Sequence, residues 1–363
     1  MVQLELNARN LLMALTHTPA QLKPHLEFLN QNIENLTFRP LIGTFRDSKL
    51  SRGDLGNQLF QVSAAMAYAW FHNGKVAIED PTPQNGIKLD CFVLDGISII
   101  SKEDTPTKII TEDNFCITEA IECEKFFTTN FDNNDIVNLE GYFQNWRFAQ
   151  IIEQNARKAF TFKKSFEEFA TNILNKVRLK FPGRKIVAVH YRAYDQNESK
   201  GYSVGSEINH PPIPFEYYIN AINKMDSSAD NPPIYLIISN SANSAKEAFG
   251  KNPRFVYSED FIDSEDKHIR TDNDTLSTLS APVDLCLMSK CDGHIISNST
   301  FSWWGAWLSG NHDVVAPSRC RWFGEHLGTH NLTDLYYPLW KEVWFPPHPK
   351  SFVTWQNFET TPG

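Results

Sequence analysis

Apolar residues along this chain fall in two alternating patterns: helical spacing, and short continuous runs. Leu59, Val62, Met66, Ala69 and Trp70 recur near every 3.6 residues in "LGNQLFQVSAAMAYAWFHNG", predicting a helix that closes at Asn73-Gly74. "LIGTFRD" (41–47) before it and "KVAIE" (75–79) after it predict strands, so the stretch is a β-α-β unit with a glycine-bearing turn at the helix start. Residues 80–140 are mixed and rich in Asp, Glu, Asn and Thr, and predict no clear element; "NLEGYFQNWRFAQII" (138–152) runs from a strand into an aromatic-rich helix. A helix over 160–184 ends near Pro182-Gly183, and a domain boundary is expected in this region. The second half alternates more cleanly. Strands are predicted at 185–191, 233–239, 254–259, 293–297 and 312–317, and helices at 214–225, 240–250, 281–291 and 301–310. Strand and helix alternating at these lengths predict parallel, doubly wound sheets. The fold class expected is therefore α/β, with two Rossmann-like domains whose parallel sheets face across a cleft. The expected division is a helical extension over 1–38, a first domain over 39–175 and a second over 176–330. A Trp- and Pro-rich tail over 331–363 is expected to pack on the domains as irregular structure.

Composition narrows the function classes. The 363 residues are 41% hydrophobic and 21% charged, enough apolar side chain for two cores. A net charge of −9 opposes binding to nucleic acid or to an anionic membrane, so an anionic ligand needs local positive partners. The six cysteines make no CxxC pair and no zinc-ligand spacing, and several sit in apolar runs, which points to reduced, partly buried thiols. No apolar run nears 18 residues and no signal peptide is evident, so the chain reads as soluble.

Open parallel sheets bind ligands beyond the carboxyl ends of their strands, and three stretches stand at such ends. In "GDLGNQ" (53–58), Gly56 permits close backbone approach while Asn57 and Gln58 start the helix; this is an anion site or an ordinary turn. In "AVHYRAYD" (188–195), His190 and Arg192 share one face of an apolar strand. A polar pair there calls for an anion such as phosphate, or for a buried partner such as Asp195. In "SNST" (297–300), Ser297, Asn298, Ser299 and Thr300 lie between a strand and a helix carrying Trp303, Trp304 and Trp307. Hydroxyls and first-turn N–H groups can cradle phosphate there, or simply cap the helix; the tryptophans read as packing.

"LGNQLFQ" (55–61), "LEGYFQ" (139–144), "HYRAYD" (190–195) and above all "DLCLMSKCDGHIISNSTFSWWGAWL" (284–308) resemble, in order and spacing, the α-1,2-fucosyltransferases of glycosyltransferase family 11. The resemblance implies a GT-B architecture with GDP-fucose as donor. It also implies inversion at the anomeric carbon, with no cofactor and no essential metal. The acceptor would be the 2-hydroxyl of a galactoside within a glycan or oligosaccharide. It implies that His190 and Arg192 hold the β-phosphate, that Asp284 faces guanine, that Ser299 and Thr300 face the phosphates, and that Asn57 meets the pyrophosphate from the other domain. Two positions depart from the family's "HxRRGD": Ala193 and Tyr194 stand where a second Arg and a Gly are usual. Such an enzyme would be cytoplasmic or peripheral at a membrane in a bacterium, working in membrane-associated glycan synthesis. The Golgi lumen is the alternative for a trimmed eukaryotic chain.

The chemistry asks for stabilisation of the departing diphosphate, which Arg192, helix N-termini and hydroxyls can supply without a metal. An oxocarbenium-like state needs no nucleophilic side chain. Asp195 either serves as a weak base for the acceptor hydroxyl or orients Arg192; Glu198 and Glu207 are rival bases. The Asp-x-Asp within "TDNDT" (271–275) reads as solvated loop rather than as a metal site. Two other classes remain open: a different GDP-sugar or protein O-fucosyltransferase, and a catalytically silent GDP-sugar-binding relative.

Overall fold

The computed structural model describes residues 41–44, 54–72, 74–79, 81, 88–99, 106–112, 135–193, 211–227, 231–263, 277–324 and 332–345. The chain divides into two compact units, Met1–Lys163 with His330–Pro338, and Lys164–Thr329 with Leu339–Gly363. The division falls at Lys163/Lys164, ahead of the 175/176 boundary read from the sequence, because the whole helix 164–180 groups with the second unit. The expected extension over 1–38 lies outside the described residues.

The first unit runs β1 (Leu41–Thr44), α1 (Leu55–Phe71), β2 (Lys75–Ile78), β3 (Ile97–Ile99), β4 (Lys108–Thr111), β5 (Ile136–Glu140), α2 (Trp146–Ile151) and α3 (Glu153–Ala159). Its strands are all parallel, in the order β3-β2-β1-β5-β4. Every residue of α1 except Asn57 is buried, as its apolar character all round requires. Residues 332–338 of the tail are tied to this unit. Trp146 N–H donates to the Asp334 carbonyl (2.9 Å), Arg147 pairs with the Asp334 carboxylate (2.9 Å), and Tyr337 packs edge-on against Trp146.

The second unit runs α4 (Lys164–Lys180), β6 (Ile186–Tyr191), α5 (Phe215–Asp226), β7 (Ile234–Ser239), α6 (Ala242–Phe249), β8 (Phe255–Tyr257), α7 (Ser277–Ser289), β9 (Gly293–Ile295), α8 (Thr300–Ser309), β10 (Val314–Pro317) and β11 (Lys341–Val343). Its six strands are parallel in the order β11-β10-β9-β6-β7-β8. β6 and β7 are buried along five of their six residues, which is why they read as unbroken apolar runs rather than as alternations. Val187, Val189, Tyr217, Ile222, Tyr235, Ile237 and Phe249 fill the core between this sheet and the helices α5 and α6.

Two expectations need correcting. The tail is not wholly irregular: Lys341–Val343 adds a sixth strand beside β10, and Trp340 packs on Trp303 at 5.2 Å. Helix α7 begins at Ser277, not near residue 281, and Pro282 lies inside it. Proline in a first turn loses nothing, so Pro282 resembled a helix start; within the body of α7 it removes one internal hydrogen bond and the helix continues. Among the described residues, no helix is long and apolar enough to cross a membrane.

Candidate functional site

In the second unit the chain passes from β6 outward through β7 to β8, then returns to the other side of β6 for β9 and continues to β10 and β11. The switch point therefore lies between β6 and β9, where connections leaving the carboxyl ends diverge and open a crevice. The residues singled out from the sequence arrive at this point. β6 delivers His190 and Arg192, and β9 delivers Ser297 to Ser299 and then the first turn of α8 at Thr300.

His190 and Ser297 join the two strands. His190 Nδ1 lies 2.7 Å from Ser297 Oγ, both side chains are buried, and Phe301 packs on the imidazole at 5.3 Å. Burial, and secondly the charge of Arg192, push the His190 pKa down to about 3. The imidazole is thus uncharged at neutral pH, and the cation at this strand end is the half-buried Arg192. Ser297 belongs to this buried link and not to an exposed cradle.

Ser299 and Asn298 part company. Ser299 holds the N-cap position of α8 in extended conformation, φ −136° and ψ 125°, yet its side chain makes no capping hydrogen bond. The capping explanation therefore does not account for its hydroxyl, which remains beside the positive end of a ten-residue helix. Asn298 is buried, and its amide donates to the carbonyls of Pro211 (2.9 Å) and Trp322 (3.2 Å). Both donors are committed, and what remains, Oδ1, is an acceptor that does not suit a phosphate. Asn298 ties two connections to the sheet end; Ser299 and Thr300, on the same turn, are each half-buried.

Asp284 sits in the body of α7, well after its first residue Ser277, and not in a first turn as the helix read over 281–291 would have it; it is almost fully buried. The three tryptophans pack: Trp303 and Trp304 are fully buried, and Trp304 meets Trp307 edge-on at 5.1 Å. Helix α8 lies so near α7 that a Cβ on Gly305 would fall 2.8 Å from Met288 Cβ. Asp195, Glu198, Glu207 and the run 271–275 lie outside the described residues. Of the described cysteines, Cys91, Cys286 and Cys291 are buried thiols, while the Cys320 thiol is exposed.

The first unit has its own switch point, between β1 and β5. Gly56 and Gln58 are buried, and Gln58 Oε1 accepts the Lys88 N–H at 2.8 Å, so that side chain is committed within the fold. Asn57 is the residue of α1 nearest solvent, and its Oδ1 accepts from Gln144 Nε2 at 3.2 Å. Gln61 Nε2 donates to the Gly141 carbonyl at 2.8 Å. Glu112, just past β4, takes the N–H groups of Tyr142 (2.8 Å) and Phe143 (3.2 Å). Only glycine fits at 141, since a Cβ there would lie 2.4 Å from Glu112 Cβ. Gln144 and Glu112 were missed as organisers of this turn; "LEGYFQ" was the available signal for the first, and nothing local marks the second.

Residues 50–319 match the family described as Glycosyl transferase family 11. The chain belongs to glycosyl transferase family 11. The resemblance read from its four motifs thus holds over most of its length. Among relatives, the O-antigen biosynthesis glycosyltransferase WbnK of Escherichia coli is 31% identical over 114 residues, 31% of this family 11 chain and 32% of WbnK, so the match spans about a third of that protein. The alpha-1,2-colitosyltransferase of Escherichia coli is 27% identical over 291 residues, 75% of this chain and 90% of its own. Among solved structures, the fucosyltransferase NodZ from Bradyrhizobium is similar at 16% identity and a TM-score of 0.48, over 75% of this chain and 94% of that one.

Proposed function

We propose that this family 11 glycosyltransferase moves L-fucose from GDP-fucose to the 2-hydroxyl of a galactoside, inverting the anomeric carbon and using no metal ion. The observation that carries the reading is the meeting, at the β6/β9 switch point, of a cation on Arg192 with the N-terminus of α8, whose Ser299 hydroxyl makes no cap. Both are aimed at one chemical need, the charge that grows on a departing diphosphate. Arg192 grips the β-phosphate, while Ser299, Thr300 and the first N–H groups of α8 take its other oxygens. Uncharged His190, held by Ser297, orients the same group. Asp284 accepts from the N1 and N2 hydrogens of guanine. Asp195 either accepts the proton of the acceptor hydroxyl or orients Arg192. Because the fixed cation already meets the leaving group, transfer proceeds in the presence of EDTA.

The test is incubation of the purified protein with GDP-fucose and a panel of β-galactosides, with the linkage of the product read by NMR. An α-1,2-linked fucosyl product formed in EDTA supports the reading; transfer restored only by Mn²⁺ rejects its metal-free part. A second reading keeps the linkage and changes the sugar, because a relative matched over 90% of its own length is named an alpha-1,2-colitosyltransferase. Product from a colitosyl donor, and none from GDP-fucose, selects it.

A further inference from the structure

β6 and β7 pair in register up to Tyr191 and Ser239. Past that step the two chains separate, since β7 turns into α6, whose N-cap is Ser241. The ladder nevertheless gains one more rung. The Asn240 side chain accepts the Ala193 N–H through Oδ1 at 2.9 Å and donates from Nδ2 to the Ala193 carbonyl at 2.9 Å. The oxygen of a primary amide and one of its N–H groups point the same way in a plane, so together they can meet the N–H and C=O of one residue, as the opposite residue does in a hydrogen-bonded antiparallel pair. The side chain of Asn240 therefore continues β7 where its backbone has left. Ala193 is buried at the position of this clamp, while Asn240 itself is exposed, at the carboxyl ends of the strands.

We infer that Asn240 is a positioning residue that acts through Arg192. Arg192 is held between two fixed points, the last ladder pair at Tyr191 and the amide clamp at Ala193, so its backbone stays extended beyond the sheet. A guanidinium at the end of a flexible side chain meets a diphosphate well only if its Cα is fixed, and the clamp fixes it. Glycosyl transfer is not expected to need Asn240 at the reacting atoms. The "HxRRGD" pattern departs at Ala193 while its backbone remains gripped, because the clamp reads N–H and C=O and ignores the side chain.

This inference rests on the phosphate role of Arg192, and a double-mutant cycle separates the two. GDP and guanosine affinities are measured by calorimetry for the wild type, Asn240→Ala, Asn240→Asp, Arg192→Ala and the double variant Asn240→Ala/Arg192→Ala, with melting temperatures for each. Asn240→Ala should weaken GDP about tenfold and leave guanosine unchanged. Asn240→Asp should lose a similar part, since its second oxygen repels the Ala193 carbonyl that Nδ2 now meets. In the Arg192→Ala background, Asn240→Ala should change GDP affinity less than twofold. Equal loss of GDP and guanosine affinity, or full additivity with Arg192→Ala, overturns the positioning role. If Arg192→Ala itself leaves GDP affinity intact, it is the phosphate reading that fails.

Discussion

Asn298 and Ser299 are neighbours with opposite commitments, and that difference can be measured. Asn298 gives both amide hydrogens to the buried connections at Pro211 and Trp322, whereas the Ser299 hydroxyl caps nothing. Asn298→Ala leaves two carbonyls without that donor and should cost about 1–3 kcal/mol of stability, weakening GDP and guanosine alike. Ser299→Ala/Thr300→Ala should do the reverse: little change in melting temperature, and about a tenfold loss of GDP affinity with guanosine unaffected. Equal loss of both ligands in the serine–threonine variant would reduce the turn to a capping motif. From the sequence, the cluster "SNST" was legible as a polar handover between strand and helix. Its division of roles was not, because the partners of Asn298 lie 87 and 24 residues away. The same distance hid Asn240, whose partner is 47 residues earlier in the chain.

At the scale of elements, α8 and α7 form the support on which this turn stands. Gly305 allows the approach, and His294 Nε2 donates to the Met288 carbonyl at 2.8 Å on the facing helix. Gly305→Ala puts a methyl group against Met288 Cβ, which cannot swing away as the end of a long side chain could. About 1–3 kcal/mol of destabilisation should appear in chemical denaturation, more than the helix propensity of alanine returns. A stabilised variant would show that α7 slides freely on α8. Why some elements were legible follows from burial. β6, β7 and β10 run through the middle of a covered sheet, so their residues form apolar runs that stand out. β3 and β4 are edge strands of three and four residues with half their side chains in water, and they disappear into a polar region. β11 has three residues and forms only because β10 offers a free edge to a chain segment beyond the predicted sheet.

At the scale of the whole molecule, two units on one chain need not share a single unfolding transition, and acid should distinguish the second. That unit buries two histidines on neighbouring central strands, β6 and β9. Burial, with Arg192 as the second cause, holds His190 at about 3, and burial holds His294 at about 4 against the opposing pull of the Met288 carbonyl and of Asp292 and Asp313. In the unfolded chain both titrate near 6.5. Between those values the unfolded state binds protons that the folded state refuses, so stability is full above about pH 6.5 and falls as the pH drops towards 4. Each histidine contributes a slope of about 1.4 kcal/mol per pH unit in the middle of that window, and the two together about twice that. Calorimetric scans from pH 8 to pH 4.5 should show one transition moving steeply to lower temperature. His294→Gln keeps an amide hydrogen for the Met288 carbonyl and removes the titration, so it should halve the acid slope at a modest cost in stability at pH 8. His190 then carries the remaining slope, and GDP should flatten it. Under the proposed phosphate role of Arg192, the ligand binds only the folded unit and its phosphates partly cancel the charge that disfavours the protonated imidazole. An acid slope that His294→Gln leaves untouched would mean that carboxylates, and not the two buried imidazoles, set the acid limit of this unit.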